Sequence, residues 1–162
     1  MSWQGTVVSI HIVPEASAPM VEISAGEAIT GKGLAGDRYA LERGFYSDHP
    51  GPLREVSLIE EETLEALARD HNMTLAPGIT RRNIVTRGVP LNHLVGRRFR
   101  VGDVILRGGR LNFPCKYLEE LLCKPLFLPL YNRSGLNYGN ERSGVSRPGD
   151  ALEGLTRRPR AG

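Results

Sequence analysis

The chain has 162 residues, of which 40% are hydrophobic and 24% charged, and its formal net charge is +3. This length and composition are typical of one ordinary globular domain. No run approaches the roughly 18 consecutive apolar residues of a membrane helix, and residues 1–13 lack the pattern of a secretory signal. Basic residues are scattered, aromatic residues make up only 6%, and no nucleic-acid-binding motif occurs. We therefore expect a cytoplasmic protein that binds neither a membrane nor nucleic acid.

The first third of the chain predicts two short strands and a long loop. Residues 7–12 alternate between apolar and polar side chains, as a half-buried strand does, and Pro14 ends the pattern. Residues 21–23 indicate a second short strand. Residues 24–53 are rich in glycine and proline and predict a loop, which at this length is usually functional.

The middle of the chain predicts two strands and the clearest helix. Residues 54–59 alternate again, and residues 60–70 then place apolar side chains at helical spacing. Ser57 with Glu60 is a candidate capping box at the start of that helix. Residues 83–86 indicate a strand that ends before a glycine.

The last third predicts a strand–turn–strand unit over residues 99–106 and a short helix after Pro114. Many short strands, frequent turns and only two convincing helices predict a mainly β fold of the α+β class, with a barrel-like core and flanking helices. A doubly wound sheet would need helices between most strands. We expect one domain over residues 1–155 and a flexible, arginine-rich tail over residues 156–162.

A glycine-rich segment over residues 31–36 satisfies the G-x-G-x-x-G pattern of dinucleotide-binding proteins. That motif must open a helix whose N-terminus meets a pyrophosphate, and no helical period begins here. The segment is therefore not a dinucleotide site. Two interpretations stay open: an anion cradle beside Lys32 and Arg38, or a flexible loop with incidental charges.

The two cysteines, Cys115 and Cys123, are too few for a disulfide framework or a four-cysteine zinc site. Cys115 follows Pro114 and precedes Lys116, so it is predicted at a helix N-terminus, where the helix dipole and the lysine favour the thiolate. A thiolate binds soft metals and attacks sulfur or carbon, but a lone cysteine is equally often a small buried hydrophobe. Cys123 is typical of a structural cysteine.

The remaining polar candidates give weaker signals. The histidines are isolated and lack a metal-binding pattern, so we expect surface or hydrogen-bonded side chains; they are His11, His49, His71 and His93. Residues 81–83 enter a strand, where Arg82 and Asn83 either contact a ligand or form a solvated strand end. The sequence carries no haem, flavin, zinc or iron–sulfur motif.

Taken in order, several blocks of the chain resemble the MOSC domain family, named for the C-terminal part of molybdenum cofactor sulfurase. The segment Gly33-Leu34-Ala35-Gly36-Asp37-Arg38 is similar to the family's G-L-x-G-D-R signature. The other matching blocks are residues 56–59, 77–88, 101–103, 114–119 and 144–150. Each block is weak alone, but the ordered set is specific. The family fold is a mostly β, closed barrel with flanking helices.

The resemblance implies a molybdopterin-type molybdenum cofactor. Cys115 aligns with the family's cysteine, so it would be the catalytic residue, as the molybdenum ligand or as a carrier of sulfur. The cofactor-binding residues implied are Lys32, Asp37, Arg38, Arg82, Asn83, Thr86 and Asn112. A related branch often has a second cysteine where this chain has Asn112, which weakens a two-cysteine exchange mechanism and leaves a single-thiolate role intact.

Three functions follow from the resemblance and stay open. Cys115 ligates molybdenum in a cofactor that reduces small N-hydroxylated substrates, or it carries a persulfide for cofactor assembly, or the barrel is a non-enzymatic module that binds an anion or a partner. No aminotransferase-like, flavin or ferredoxin domain is visible in the sequence. Pyridoxal phosphate is therefore only an association of the family as a whole, and we expect a separate redox partner or cysteine desulfurase.

Overall fold

The computed structural model describes residues 3–43, 54–112 and 116–155. The strands within them are β1 (Gln4–Ile12), β2 (Val21–Ile23), β3 (Gly26–Ile29), β4 (Gly33–Leu34), β5 (Val56–Glu60), β6 (Ile84–Arg87), β7 (Arg98–Val101), β8 (Val104–Leu111), β9 (Leu136–Arg142), β10 (Gly144–Ser146) and β11 (Ala151–Gly154). The helices are α1 (Glu61–His71) and α2 (Lys116–Leu122), and two 3-10 turns span Pro77–Thr80 and Leu91–Leu94. Of the helices in these ranges, none has the length and apolar character needed to cross a membrane.

Seven strands close into a mixed barrel. They follow one another in the order β1, β6, β5, β9, β8, β7 and β11, and pairing of β11 with β1 closes the ring. β5 and β6 run parallel, with α1 in the connection between them, because parallel neighbours need a long crossover. The other neighbouring pairs in the ring are antiparallel. The predicted fold class, a mainly β closed barrel with flanking helices, is confirmed.

The remaining strands lie outside the ring. β2 pairs with the end of β1, and β10, β3 and β4 form a separate three-stranded sheet. β3 and β4 fall inside residues 24–53, for which the sequence predicts a loop, so that prediction is wrong over these two strands. The error has a physical reason: β4 is two residues long and contains a glycine, and such a strand leaves no alternating pattern to detect.

The core fills the barrel, because the strands bury alternate side chains. In β7, for example, Phe99 and Val101 are buried while Arg98 and Arg100 are exposed. The ring of Phe99 meets that of Tyr138 edge-on, with centroids 4.8 Å apart. A second, smaller apolar cluster joins α1, α2 and the segment after α2; its buried members are Leu64, Leu67, Leu75, Leu118, Leu126 and Leu130.

The predicted strand–turn–strand unit is confirmed as β7 and β8, which pair from Arg98 with Arg107 to Val101 with Val104. The predicted capping box of Ser57 and Glu60 is wrong. Glu60 is the N-cap residue of α1 but makes no side-chain capping bond. Ser57 is a buried residue of β5, three residues before the cap, and an extended strand carries its hydroxyl away from the first turn of the helix.

Candidate functional site

A cavity of about 250 Å³ opens at the end of the barrel where β5 begins and β8 ends. Its lining side chains are Arg38, Tyr39, Arg54, Val56, Ser57, Arg82, Arg110, Leu111, Asn112 and Asn137. Arginines supply its charge, and the described lining contains no carboxylate. Guanidinium groups gathered without acids create a positive potential and offer forked donors, which together suit a phosphate or carboxylate group.

Arg38 is fixed in the cavity wall by a buried loop. Its side chain is almost fully buried, and its Nη1 donates to Oδ1 of Asp37 at 3.2 Å and to Sδ of Met20 at 3.3 Å. Its Nη2 donates to the backbone oxygen of Arg81 at 3.1 Å. Asp37 is fully buried and also accepts a bond from the backbone N–H of Val13. Asp37 therefore orients both the loop and the guanidinium, and does not itself line the cavity.

Arg81 lies directly behind Arg38 and is only partly paired. It follows the 3-10 turn Pro77–Thr80, with φ at +63°, and 7% of it is exposed. Its Nη1 donates to the backbone oxygen of Ala18 at 2.5 Å, whereas its buried Nη2 has no hydrogen-bond partner among the described residues. Burial lowers the pKa of Arg81, and the neighbouring charge of Arg38 lowers it further. In the part of the chain that the structure describes, two buried guanidiniums thus lie beside a single carboxylate, that of Asp37.

Arg82 reaches the cavity from the segment between the 3-10 turn and β6. Its Nε donates to the backbone oxygen of Ser134 at 2.8 Å, and its Nη2 donates to the Ser134 hydroxyl at 2.9 Å. Ser134 is itself buried. This forked contact holds the guanidinium plane in one orientation, which is a requirement for selective recognition of an oxyanion.

Asn83 and Thr86, both predicted to bind cofactor, are buried in the barrel wall and do not line the cavity. Asn83 ties three strands together. Its Oδ1 accepts bonds from the backbone N–H of Ser57 at 3.1 Å and from the Ser57 hydroxyl at 3.2 Å, and its Nδ2 donates to the oxygen of His11 at 3.1 Å. The Thr86 hydroxyl donates to the oxygen of Ile59 at 3.4 Å.

Asn112 ends β8 at the rim of the cavity. Its backbone N–H donates to the oxygen of Gly135 at 2.7 Å, which anchors the main chain. Its side-chain Nδ2 is buried and has no hydrogen-bond partner within residues 3–43, 54–112 and 116–155. Because an unpaired buried donor costs about 1–3 kcal/mol, a ligand that accepts this bond binds with a corresponding advantage.

Lys32 lies apart from this cluster, in the exposed turn between β3 and β4. The glycine pattern around it has a packing reason. A Cβ at Gly33, where φ is +129°, would come within 2.5 Å of the backbone oxygen of Glu55. The turn therefore needs glycine to fit against the start of β5. Of the signature residues, Arg38 lines the cavity and Asp37 orients its guanidinium.

The cysteines and histidines give no metal cluster within the described ranges. Cys115 lies outside those ranges, as does His49, and α2 starts at Lys116. Cys123 is exposed, contrary to the expectation of a structural cysteine, because it follows the last turn of α2 with φ at +52°. His11 is buried and hydrogen-bonded to the Ser9 hydroxyl at 2.8 Å, and burial lowers its pKa.

Several lining residues carried no sequence signal, among them Arg54, Arg110 and Asn137. Each stands in or beside a strand in a chain rich in arginine, so its residue type does not distinguish it. The partners that give Arg81 its importance, Ala18 and Arg38, are distant in the sequence. Only the closure of the barrel brings these positions together.

A family model described as the MOSC domain matches residues 46–153. The chain belongs to the MOSC domain family. The match begins after the Asp37–Arg38 loop and includes β5 to β10 and most of β11, so it covers most of the barrel and most of the cavity lining. A comparison with curated proteins found no match.

Solved structures share the fold of this MOSC domain. YuaD from Bacillus subtilis is similar with a TM-score of 0.80 and 17% identity, over 96% of this chain and 99% of that one. YiiM from Geobacillus stearothermophilus gives a TM-score of 0.72 with 15% identity, over 94% and 76% of the two chains. YiiM from Escherichia coli gives 0.66 with 19% identity, over 98% and 71%. At these identities the likeness establishes the architecture alone.

Proposed function

We propose that this MOSC protein binds a molybdenum–pterin cofactor in the arginine-lined cavity, with Cys115 as the molybdenum ligand, and that it reduces small N-hydroxylated substrates. The observation that carries the proposal is the positive charge of the cavity wall and of the arginine packed against it. Arg38 lines the cavity and Arg81 is buried beside it; within the described residues Asp37 is the one carboxylate next to this pair, and Nη2 of Arg81 has no hydrogen-bond partner. Buried charge of this kind is costly unless a bound anion completes it.

The residues present fit a phosphorylated pterin. The phosphate requires guanidinium donors, which Arg38 and Arg82 provide at the cavity wall. The polar heterocycle requires amide and hydroxyl partners, and Asn112, Asn137 and Ser57 line the same space. The unpaired Nδ2 of Asn112 matches this requirement, because it is a donor that the protein itself leaves unused.

Within the proposed function, the residues of the chain have separate tasks. Arg38 and Arg82 bind and orient the anionic group, and Asp37 and Ser134 hold these two guanidiniums in place. Asn83 keeps β5 and β6 in register, so that Ser57 and Arg82 reach the same cavity. The family resemblance assigns Cys115 the role of thiolate ligand. When bound, the molybdenum centre would supply the redox chemistry, in which the substrate oxygen leaves as water and a separate redox partner provides the two electrons.

The proposal is tested by making the protein in a host that synthesises the molybdenum cofactor. Molybdenum and released pterin are measured together in the wild type and in Cys115→Ala, Arg82→Met and Arg133→Met. We expect near-stoichiometric metal and pterin in the wild type and in Arg133→Met, whose guanidinium is exposed and outside the cavity. Cys115→Ala should lose molybdenum, and Arg82→Met should lose pterin.

An empty wild type would contradict the proposal and would direct attention to the other functions. A mass increase of one sulfur atom on Cys115 after incubation with a cysteine desulfurase would then favour the sulfur carrier. If Cys115 stayed unmodified while the cavity still bound anions, the chain would be a non-enzymatic anion-binding module.

A further inference from the structure

The segment between β1 and β2, residues 14–20, lies against the two buried arginines and is called the strap here. The backbone oxygen of Ala18 accepts the 2.5 Å bond from Nη1 of Arg81. Sδ of Met20 accepts the 3.3 Å bond from Nη1 of Arg38. Neither acceptor is charged, and a thioether sulfur is a weak acceptor. The strap therefore occupies these donors without neutralising them.

Two further hydrogen bonds join the strap to other described residues. The hydroxyl of Ser17 bonds to that of Tyr117 in α2 at 2.7 Å, and the backbone N–H of Ala16 donates to the oxygen of Arg43 at 3.1 Å. The Ser17–Tyr117 bond is exposed, so it contributes less than a buried bond would. Ser17 has φ at +66°, a left-handed conformation that costs a non-glycine residue free energy. The attached state is therefore held only weakly.

We propose that the strap is a gate over the arginine pair, and that an incoming oxyanion displaces it by taking donors from Ala18 and Met20. The displacement is favourable because an oxyanion adds the attraction of opposite charges to the hydrogen bonds, whereas the carbonyl of Ala18 and the thioether of Met20 are neutral. Arg38 both lines the cavity and contacts the strap, so opening the strap extends the cavity toward Arg81. The inference rests on the proposed function only in requiring an anion at these arginines.

If the strap is a gate, its opening frequency and the affinity for an anion must change together. If an anion binds only when the strap is open, the observed affinity is the intrinsic affinity multiplied by the fraction of molecules whose strap is open. A change that weakens the attachment should raise both the opening frequency and the affinity by one common factor. For loss of a single exposed hydrogen bond, at the low end of the range for hydrogen bonds, that factor is about two- to threefold.

The experiment uses the complete protein with inorganic phosphate as the probe. Amide hydrogen exchange is followed over residues 15–18 and at Met20, and phosphate affinity is measured by calorimetry. The variants are Ser17→Ala and, as control, Ser143→Ala, which removes an exposed hydroxyl pair with Thr30 at 2.8 Å and the bond from the Thr30 backbone N–H at 2.9 Å. Tyr117→Phe removes the same strap bond from its other partner.

We expect phosphate to accelerate exchange in the strap of the wild type. Ser17→Ala and Tyr117→Phe should exchange about two- to threefold faster without phosphate and bind phosphate more tightly by the same factor, while Ser143→Ala matches the wild type. Phosphate binding that slows strap exchange, or leaves it unchanged, would overturn the gate and leave the anion site standing. Absence of phosphate binding in every variant would refute the anion site and the gate together.

Discussion

Arg81 and Asn83, at the entry to β6, are both buried but differ in how fully their side chains are hydrogen-bonded. Asn83 uses its side-chain oxygen and nitrogen in bonds to Ser57 and His11, whereas Arg81 leaves Nη2 unpaired beside a second guanidinium. A satisfied buried group stabilises the fold, because its removal would strand its partners. A buried charged group without hydrogen-bond partners destabilises the fold, and such a residue is retained where a bound ligand supplies the missing partners. The contrast separates the residues that build the barrel from those that build the site.

The largest expected effect is on stability, from Asn83→Ala. The substitution strands the backbone N–H of Ser57 and the oxygen of His11 within the wall, so the free energy of unfolding should fall by about 2–4 kcal/mol. Urea unfolding measures the change. Asn92→Ala is the control, because Asn92 is exposed and its side chain makes one bond, to the oxygen of Asn132 at 2.9 Å. Equal losses in the two variants would show that Asn83 has no special role.

The next effect depends on pH and concerns Glu60, at the far end of β5 from the cavity. Burial, with a further contribution from the charge of Glu62, raises the pKa of Glu60 to about 7 from 4.5. Because the folded-state pKa is the higher one, the stabilising contribution is complete below pH 4.5 and is lost as the pH rises through 7. After allowance for its partial exposure the loss is about 1–2 kcal/mol.

Glu60→Gln provides the check on this pH dependence. The variant should lack the loss between pH 4.5 and 7 and be more stable than the wild type above pH 7. His11 works in the opposite direction, since burial lowers its pKa and its contribution is lost as the pH falls. That dependence remains in both proteins, so their difference isolates Glu60. Parallel stability curves for the two proteins would refute the assignment.

Arg81→Met tests whether Arg81, unlike Asn83, serves the binding site and not the fold. Replacing a partly paired buried charge with an apolar side chain of similar length should leave the free energy of unfolding unchanged or raise it by about 1 kcal/mol. The same variant should bind phosphate at least tenfold more weakly. A large loss of stability would show that Arg81 serves the fold and would remove the main argument for an anion site.

The smallest effect is expected on the surface. Arg69 pairs with Asp70 through two bonds of 2.6 and 2.8 Å, yet both side chains are exposed. Exposed ion pairs contribute little, because solvent screens the attraction and ordering the side chains costs entropy. Arg69→Ala should leave the urea midpoint and the phosphate affinity unchanged. A clear change in either would show that exposed charges matter more here than the buried contrast implies.

The sequence predicted the fold better than the site. Alternation over residues 7–12 and 99–106 and the helical period after Glu60 are local signals, and they gave β1, β7, β8 and α1. The two-residue strand β4 and the role of Ser57 depend on distant partners, so no local pattern revealed them. For the site, the resemblance indicated Arg38, Arg82 and Asn112, which line the cavity.

The other residues of the site come together only when the barrel closes. Arg81 matters because of its hydrogen bonds with Ala18 and Arg38. Arg82 matters because of its hydrogen bond to Ser134, which lies about fifty positions later in the chain. Whether a polar side chain is satisfied is a property of the folded barrel, since residue type and spacing do not specify it.

The pterin content of wild-type protein and of Arg81→Met, both made in a host that synthesises the molybdenum cofactor, tests the central claim most directly. We predict about one pterin per wild-type chain and little in Arg81→Met, while urea unfolding of the two cofactor-free proteins shows the variant to be at least as stable as the wild type. Equal pterin in the two proteins, or none in the wild type, would contradict the claim that the uncompensated arginine pair exists to bind an anionic cofactor.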